Sequence, residues 1–383
     1  MEILFWLGII TVLYAYMGYI GLLWFFSFLK NNPVKKQDIT PSVSLVISVY
    51  NEERVLAQKI ENALDLDYPE NLLEIAVISD GSTDGTNDII REYADRDKRV
   101  LPCIVSINKG KDACLNDFVP GLRGEIILFS DATSFYEKDL IRMILPPLGD
   151  ERVGFVTGST RYFTSYEGET NEAIGIYSSL ERLTKLLESK IGSCVGADGA
   201  VFAIRKTLFS PLKPYEINDL MLPLLIVKKG YRGVLEETAF CREEAGEGIE
   251  NEFRRQVRIT TGTLRSLFGR EAYLNPFHHP LFLFEVISHK VMKLLTPFLL
   301  IVIFLSSCII ALRSYFYALL LGFQLFCYIL AYSGYKYDKI RNTNRFISIA
   351  SAFTITNLAM LKGWLAYFTR KDYSTWSPER PRQ

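Results

Sequence analysis

Three apolar runs in this sequence end in side chains that could bind a charged ligand. The runs are residues 43–49, 73–78 and 124–129. The side chains that follow them belong to Tyr50, Glu52, Asp80 and Asp131. In open α/β sheets the carboxyl ends of the strands hold phosphates and metal ions, because several loops converge there. We therefore expect these side chains to form one site along one edge of one sheet.

The elements that must position this site alternate along the chain. Strand-like apolar runs are separated by stretches with helical patterning, such as residues 55–63 and 86–93. Alternation of this kind predicts a mostly parallel sheet with helices on both faces. The fold class expected is therefore α/β.

Six short motifs occur in a fixed order between residues 43 and 262. They lie at residues 49–53, 79–86, 108–111, 130–133, 196–199 and 218–219. This ordered set resembles the membrane-bound family 2 glycosyltransferases, a group that includes the cellulose, chitin and hyaluronan synthases. The resemblance implies a GT-A fold, a nucleotide-sugar donor, and contacts of Tyr50, Glu52 and Asp80 with its base and ribose. It also implies that Lys111 lies near the nucleotide.

The family binds the donor diphosphate through an Asp-x-Asp motif that carries Mg²⁺ or Mn²⁺. The matching segment of this chain is Asp131-Ala132-Thr133, so one carboxylate is replaced by a hydroxyl. Mg²⁺ often uses only one or two carboxylates together with phosphates and water. The resemblance therefore implies a metal held by Asp131, with Thr133 acting through water or as a structural hydroxyl.

The same resemblance assigns a base and an acceptor loop. Asp219 matches the aspartate that takes the proton from the acceptor hydroxyl, while Asn218 cannot share that task because an amide accepts no proton at neutral pH. Asp198 and Gly199 match the loop close to the acceptor. A second interpretation of Asp219 is that it caps a helix beginning at Leu220, a common use of aspartate.

The leaving group of the processive synthases is stabilised by a Gln-x-x-Arg-Trp motif. Arg258 retains its cation, whereas Arg255 stands at the glutamine position and Ile259 at the tryptophan position. Loss of the tryptophan removes the aromatic surface for a polymer's terminal sugar. Arg258 could instead face anionic lipid.

Both ends of the chain are apolar enough for a membrane. Residues 3–29 contain no charged side chain and would form a helix of about 40 Å, enough to cross a hydrocarbon core of about 30 Å. Residues 294–312 and 314–335 are further charge-free runs and predict a helical hairpin. Because basic residues follow the first helix, we expect the catalytic domain in the cytosol and an inner or plasma membrane location.

The last apolar segment, residues 346–361, allows two interpretations. It could cross the membrane with Lys362 reaching to the surface, or it could be re-entrant or interfacial. The loop at residues 336–345 and the tail from Arg370 both carry basic residues. A full crossing would place these two basic segments on opposite sides of the membrane, in conflict with their shared preference for the cytosol.

These patterns divide the chain into five parts. We expect an N-terminal transmembrane helix, a cytosolic GT-A domain, interfacial amphipathic helices, C-terminal transmembrane helices and a tail, at residues 1–30, 42–245, 246–293, 294–369 and 370–383. The 43 basic residues balance 43 acidic ones, so nothing suggests nucleic-acid binding. The six cysteines show no Cys-x-x-Cys spacing, and no zinc site is indicated.

The function expected is transfer of a sugar, with inversion, from a nucleotide-sugar, for which we favour UDP, to a lipid-linked or polysaccharide acceptor. One alternative is a processive polysaccharide synthase, for which the few helices provide a channel only through self-association or partner subunits. A second alternative is a non-catalytic subunit of a polysaccharide export complex. Motifs do not name the sugar, because specificity comes from the shape of the pocket.

Overall fold

The structure is a computed structural model that describes residues 1–163, 172–214, 216–244, 249–269, 279–337 and 344–369. The predicted tail at residues 370–383 lies outside these ranges, as does most of the basic loop at residues 336–345.

Eight strands in the described part of the chain form one sheet. They are β1 Val43–Val49, β2 Leu73–Asp80, β3 Val100–Val105, β4 Ile126–Asp131, β5 Ser134–Tyr136, β6 Val153–Phe163, β7 Phe202–Arg205 and β8 Arg232–Glu244. Their order across the sheet is β3-β2-β1-β4-β7-β6-β8-β5. The first four are parallel, β7 is antiparallel to both β4 and β6, β8 is parallel to β6, and β5 is antiparallel to β8.

The sheet is covered on both faces. Every residue of β1 and β2 is buried, as expected for strands of a parallel sheet packed between helix layers. Side chains alternate between two apolar clusters: Leu45 and Ile47 belong to one cluster, and Val46 and Phe129 belong to the other. The predicted α/β architecture with a mostly parallel sheet is confirmed.

The α-helices of the described residues follow the strands and extend into the apolar ends of the chain. They are α1 Glu2–Leu13, α2 Tyr19–Leu29, α3 Glu53–Leu64, α4 Thr86–Arg96, α5 Lys111–Phe118, α6 Leu140–Ile144, α7 Glu172–Ile191, α8 Asn218–Lys228, α9 Ile249–Phe268, α10 Pro280–Val286, α11 Met292–Ala311, α12 Tyr315–Lys336 and α13 Arg345–Phe368. Two π-helical segments, Tyr14–Gly18 and Ile287–Val291, join α1 to α2 and α10 to α11.

The loops after β1 and β2 are tied together. Asn51 has a positive φ of 54°, and its amide N–H donates to the Ser82 hydroxyl at 3.1 Å while its side-chain oxygen accepts from Thr83 N at 2.7 Å. Asparagine tolerates this left-handed conformation better than most residues. The loops that follow β1 and β2 are therefore held next to each other at the edge of the sheet.

Four helical segments are long and apolar enough to cross a membrane by length and composition. They are Glu2–Leu29, Pro280–Ala311, Tyr315–Lys336 and Arg345–Phe368. Large apolar side chains on α12 are exposed, as for Leu319, Phe323 and Ile329. Exposed apolar surface of this extent marks contact with lipid or another protein. The apolar helices predicted at both ends of the chain are confirmed.

Helices α11 and α12 pack as antiparallel neighbours. The Ser307 hydroxyl donates to the Gln324 side-chain oxygen at 3.2 Å, and the rings of Phe304 and Tyr328 lie 6.1 Å apart. The start of α11 and the end of α12 consequently lie at the same end of this pair.

Helix α13 contacts that end of the pair at two places, one in its first half and one in its second half. Its Ser351 hydroxyl donates to the carbonyl oxygen of Ala331 near the end of α12 at 3.2 Å, and its Trp364 indole donates to the carbonyl oxygen of Leu294 near the start of α11 at 2.8 Å. The helix between Ser351 and Trp364 is about 20 Å long at about 1.5 Å per residue. It therefore crosses this end of the α11 and α12 pair and is not parallel to the two helices.

Replacing Gly81 with Ala should destabilise the edge of the sheet. Gly81 has a φ of +71°, and a Cβ there would lie 2.3 Å from the backbone nitrogen of Asn108. The strain and the clash together should cost about 1–3 kcal/mol, which thermal unfolding of the purified protein would detect. Gly121→Ala is the control, because its Cβ would meet open space. Equal melting temperatures for the two variants would contradict this account of the loop.

Candidate active site

Asp80 organises the segment that begins α5. Its carboxylate is buried and accepts hydrogen bonds from the backbone N–H groups of Lys109 at 2.8 Å and Gly110 at 2.9 Å. The Cys114 thiol donates to the same carboxylate at 3.3 Å. Asp80 thus fixes the position from which Lys111, the first residue of α5, extends its side chain.

Lys111 and Asp131 meet directly. The Lys111 ammonium donates to a carboxylate oxygen of Asp131 at 2.8 Å, and both side chains are about one third exposed, at 33% and 37%. Asp131 is the last residue of β4, so the ion pair lies at the carboxyl edge of the sheet. Two residues predicted from separate motifs are therefore brought together, with a cation already placed on the carboxylate expected to bind metal.

Tyr50 and Glu52 occupy the end of β1, which lies between β2 and β4 in the sheet. Glu52 is buried, and its backbone N–H donates to the Thr86 hydroxyl at the start of α4, at 2.9 Å. Tyr50 is half-buried. The residues predicted for base and ribose thus share one edge with Asp80 and Asp131.

The loop before β7 brings glycine against Asp219. A Cβ on Gly199 would lie only 3.0 Å from a carboxylate oxygen of Asp219, so the absence of a side chain permits this approach. Asp198 fastens the loop to β6, because its carboxylate accepts from the Thr160 backbone N–H at 2.8 Å, the Thr160 hydroxyl at 2.9 Å and the Ala200 N–H at 3.2 Å.

Asp219 lies in the first turn of α8, which begins at Asn218. Ile217 occupies the N-cap position and no side chain caps this helix, so the interpretation of Asp219 as the cap is wrong. Burial raises the pKa of the Asp219 carboxyl above its ordinary value, Lys111 and Lys185 oppose this shift, and nearby carboxylates add to it. A raised pKa makes a carboxylate a better proton acceptor.

Arg258 lies on α9, three residues after Arg255. Burial and repulsion from Arg255 lower the pKa of the Arg258 guanidinium, while Asp131 and Asp219 act in the opposite sense. Arg255 is paired with Glu252 at 3.3 Å, whereas Arg258 has no ion pair within the described ranges. Arg258 therefore lies within electrostatic range of Asp131, at the end of β4, and of Asp219, in α8.

Two residues near the site were not predicted. Glu243, on β8, accepts a hydrogen bond from the Thr133 hydroxyl at 2.7 Å, and burial followed by repulsion from Asp131 raises the pKa of its carboxyl. Lys185, on α7, is a buried cation that acts on Asp219. Both belong to segments without a recognisable motif, so the sequence offered no signal for either.

The residues around Asp131 suit a hard divalent cation. Carboxylate and hydroxyl oxygens are the donors that Mg²⁺ and Mn²⁺ prefer, and Asp131 already holds a cationic ammonium group. Among the residues that the structure describes, no three His, Cys, Asp or Glu side chains form a group able to hold a metal alone. A cation here would have to be completed by oxygens of a ligand, as a diphosphate can supply.

Cations and carboxylates lie together at this edge of the sheet, and this combination suits a ligand that carries a diphosphate and a divalent cation. Residues 44–211 match the model of glycosyl transferase family 2. The mannosyltransferase PcManGT of Pyrobaculum calidifontis, solved with GDP-Man and Mn²⁺, has a TM-score of 0.74 at 20% identity and covers 96% of this chain and 100% of its own. Residues 44–211 therefore match a family 2 glycosyltransferase domain, and the chain shares the GT-A fold of the Pyrobaculum structure.

Two curated relatives extend the comparison. A β-monoglucosyldiacylglycerol synthase of Nostoc is 36% identical over 31% of this chain and 26% of its own length. A poly-β-1,6-N-acetyl-D-glucosamine synthase of Staphylococcus epidermidis is 24% identical over 67% of this chain and 63% of its own. The chain thus spans less than two thirds of either relative.

Removing the cation of Lys185 should make the enzyme more sensitive to acid. Because Lys185 lowers the pKa of Asp219, Lys185→Met should raise that pKa, and the carboxylate would then become protonated at a higher pH. The acid limb of the pH profile of kcat/KM for donor turnover should move to higher pH. Lys190→Met, an exposed lysine on the same helix, is the control. An acid limb that does not move would show that Asp219 does not set it.

Proposed function

We propose that this protein is a membrane-bound inverting glycosyltransferase that moves a sugar from a UDP-sugar to a lipid-linked or polysaccharide acceptor. The observation that carries the proposal is the position of Asp219. Its carboxylate has no hydrogen-bond partner within the described residues, contacts Gly199, and interacts electrostatically with Lys111 and Asp131. A base candidate thus faces the groups that would hold the donor diphosphate.

In this proposal the donor lies across the ends of β1, β2 and β4. Tyr50 and Glu52 contact the base and ribose, and a carboxylate is a suitable acceptor for the N–H of a uracil imide. Asp80 contributes by holding the loop that precedes Lys111. Support also comes from the Pyrobaculum neighbour, which was solved with a nucleotide-sugar.

A divalent cation, Mg²⁺ or Mn²⁺, would be held at Asp131. When bound, it supplies positive charge that neutralises the donor diphosphate. Lys111 is ion-paired with Asp131 at 2.8 Å and can turn to a phosphate oxygen, because both side chains are partly exposed. Thr133 donates to Glu243 and so orients the segment that follows Asp131.

The chemical step is a direct displacement. The acceptor hydroxyl oxygen attacks the anomeric carbon, its proton passes to the Asp219 carboxylate, and the bond between the anomeric carbon and the diphosphate oxygen breaks. The electron pair of that bond leaves with the nucleoside diphosphate, whose charge Arg258 stabilises. One displacement inverts the anomeric centre.

Two alternatives to transfer of a single sugar are a processive synthase and a non-catalytic subunit. Ile259 in place of tryptophan and the short membrane part oppose a processive synthase, and the similarity to a monoglucosyldiacylglycerol synthase supports transfer to a lipid. Similarity to the poly-N-acetylglucosamine synthase over two thirds of the chain favours the processive alternative, which would need association with other chains. Retention of Asp131, Asp219 and Arg258 opposes a non-catalytic subunit.

We further propose that the catalytic domain faces the cytosol and that α13 lies along the cytosolic surface of the membrane. The contacts of Ser351 and Trp364 with the same end of the α11 and α12 pair support this. So does the packing of Gly363 on α9, where a Cβ would lie 2.6 Å from Thr260. An interfacial α13 removes the charge conflict of a full crossing, because both basic segments then remain in the cytosol.

Asp219→Asn should separate chemistry from donor binding. Asparagine has nearly the same size but cannot take a proton, so kcat should fall by a factor of about 10² to 10⁴. UDP should still bind, because the groups proposed for it are unchanged. The measurements are sugar transfer at saturating donor and calorimetric titration with UDP, using Asp219→Glu to test whether a carboxylate restores part of the rate. Turnover by Asp219→Asn close to that of the wild type would exclude Asp219 as the base.

The orientation of α13 can be tested with fusions in a bacterial inner membrane. A green fluorescent protein fused after Gln383 should fluoresce, and alkaline phosphatase fused there should be inactive, because both report a cytosolic end. Alkaline phosphatase fused at Arg313, between α11 and α12, should be active and serves as the control. An active phosphatase after Gln383 would show instead that α13 crosses the membrane.

A further inference from the structure

The segment after β4 has Thr133 where the family motif has its second carboxylate. Strand β8 provides a carboxylate, that of Glu243, next to Thr133. The Thr133 hydroxyl donates to the carboxylate of Glu243 at 2.7 Å. Strands β5 and β8 are paired so that Ser134, the residue after Thr133, lies opposite Glu243. A carboxylate from a strand more than a hundred residues later in the chain is thus held against Thr133.

Charged groups surround the Glu243 carboxylate. Glu243 and Asp131 repel each other, and Arg255 attracts Glu243. Lys59, a fully buried residue, interacts electrostatically with both carboxylates. Its ammonium donates to the carbonyl oxygen of Ser134 and lies 3.8 Å from the centre of the Tyr136 ring. Within the described ranges Lys59 forms no ion pair at hydrogen-bond distance, so it is not directly paired with either Asp131 or Glu243.

We propose that Glu243 supplies the second carboxylate of the divalent-cation site, acting together with Asp131. The inference rests on the proposed donor site, because the remaining oxygens come from the diphosphate. Thr133 then has a defined part: its hydroxyl orients Glu243 instead of binding the cation. Two carboxylates with phosphate oxygens and water are a common ligand set for Mg²⁺ in nucleotide sites.

The test measures cation binding rather than sugar transfer. Purified full-length protein is titrated with MnCl₂ in the presence of UDP, and free Mn²⁺ is followed by electron paramagnetic resonance. Glu243→Gln should weaken Mn²⁺ binding about 10- to 100-fold, because a charged ligand becomes a neutral one. Glu237→Gln removes an exposed carboxylate from the same strand, six residues before Glu243, and should bind Mn²⁺ like the wild type.

A double variant that moves the carboxylate from position 243 to position 133 tests whether the carboxylate itself binds the cation. Thr133→Asp introduced into Glu243→Gln should restore Mn²⁺ binding, because the carboxylate returns to the neighbouring position. Thermal unfolding confirms that each variant is folded, and Glu243→Asp, which keeps a carboxylate, should retain part of the affinity if Glu243→Gln proves unstable. Unchanged Mn²⁺ binding by folded Glu243→Gln, or loss of binding in Glu243→Asp equal to that in Glu243→Gln, would overturn the inference.

The outcomes separate this inference from the proposed function. Wild-type protein that binds no Mn²⁺ with UDP would overturn both. Binding of Mn²⁺ that depends on Glu243, in a protein that transfers no sugar, would support the cation site and count against the proposed function alone.

Discussion

The ion pair between Lys111 and Asp131 is the interaction on which the arrangement of the site depends. Asp131 is delivered by a buried strand, and Lys111 by a helix whose first turn is fixed by the Asp80 carboxylate. A carboxylate in a partly buried cleft needs a positive partner. Lys111 meets this need, and in the proposed function a diphosphate with its cation takes over the same charges. Asp219 interacts electrostatically with both members of this pair, and Arg258 with Asp131. The charges expected to act on the sugar and the leaving group therefore lie near one another.

The apolar helices are joined to α7 through buried polar contacts. His289, in the π-helical segment before α11, places one ring nitrogen 2.8 Å from Glu188 and the other 2.9 Å from Glu181, both on α7. The hydroxyl of Tyr19, on α2, donates to Glu188 at 2.9 Å. Helix α7 also carries Lys185, so the helix that contacts these apolar segments also carries a cation that acts on Asp219.

Local patterns were sufficient for β1, β2 and β4 and for the polar residues at their ends, but not for the other five strands of the sheet. A continuous apolar run ending in an acid predicts a buried strand and its functional end, and Asp80 and Asp131 lie where this reasoning put them. Contacts between distant segments could not be predicted in this way: Glu243 reaches Thr133 only through the pairing of β5 with β8. The direction of α13 was equally hidden, because hydropathy reports the length and polarity of a helix but not the side of its neighbours on which it packs.

The central claim is that the carboxyl edge of the sheet holds a nucleotide-sugar with its diphosphate at Lys111 and Asp131 and its anomeric carbon facing Asp219. A structure of the protein with a non-hydrolysable UDP-sugar and Mn²⁺ tests this most directly. The account predicts phosphate oxygens in contact with Lys111, the cation on Asp131, and a carboxylate oxygen of Asp219 on the face of the sugar opposite the diphosphate. A nucleotide bound away from Asp131, or an anomeric carbon with the diphosphate between it and Asp219, would contradict it.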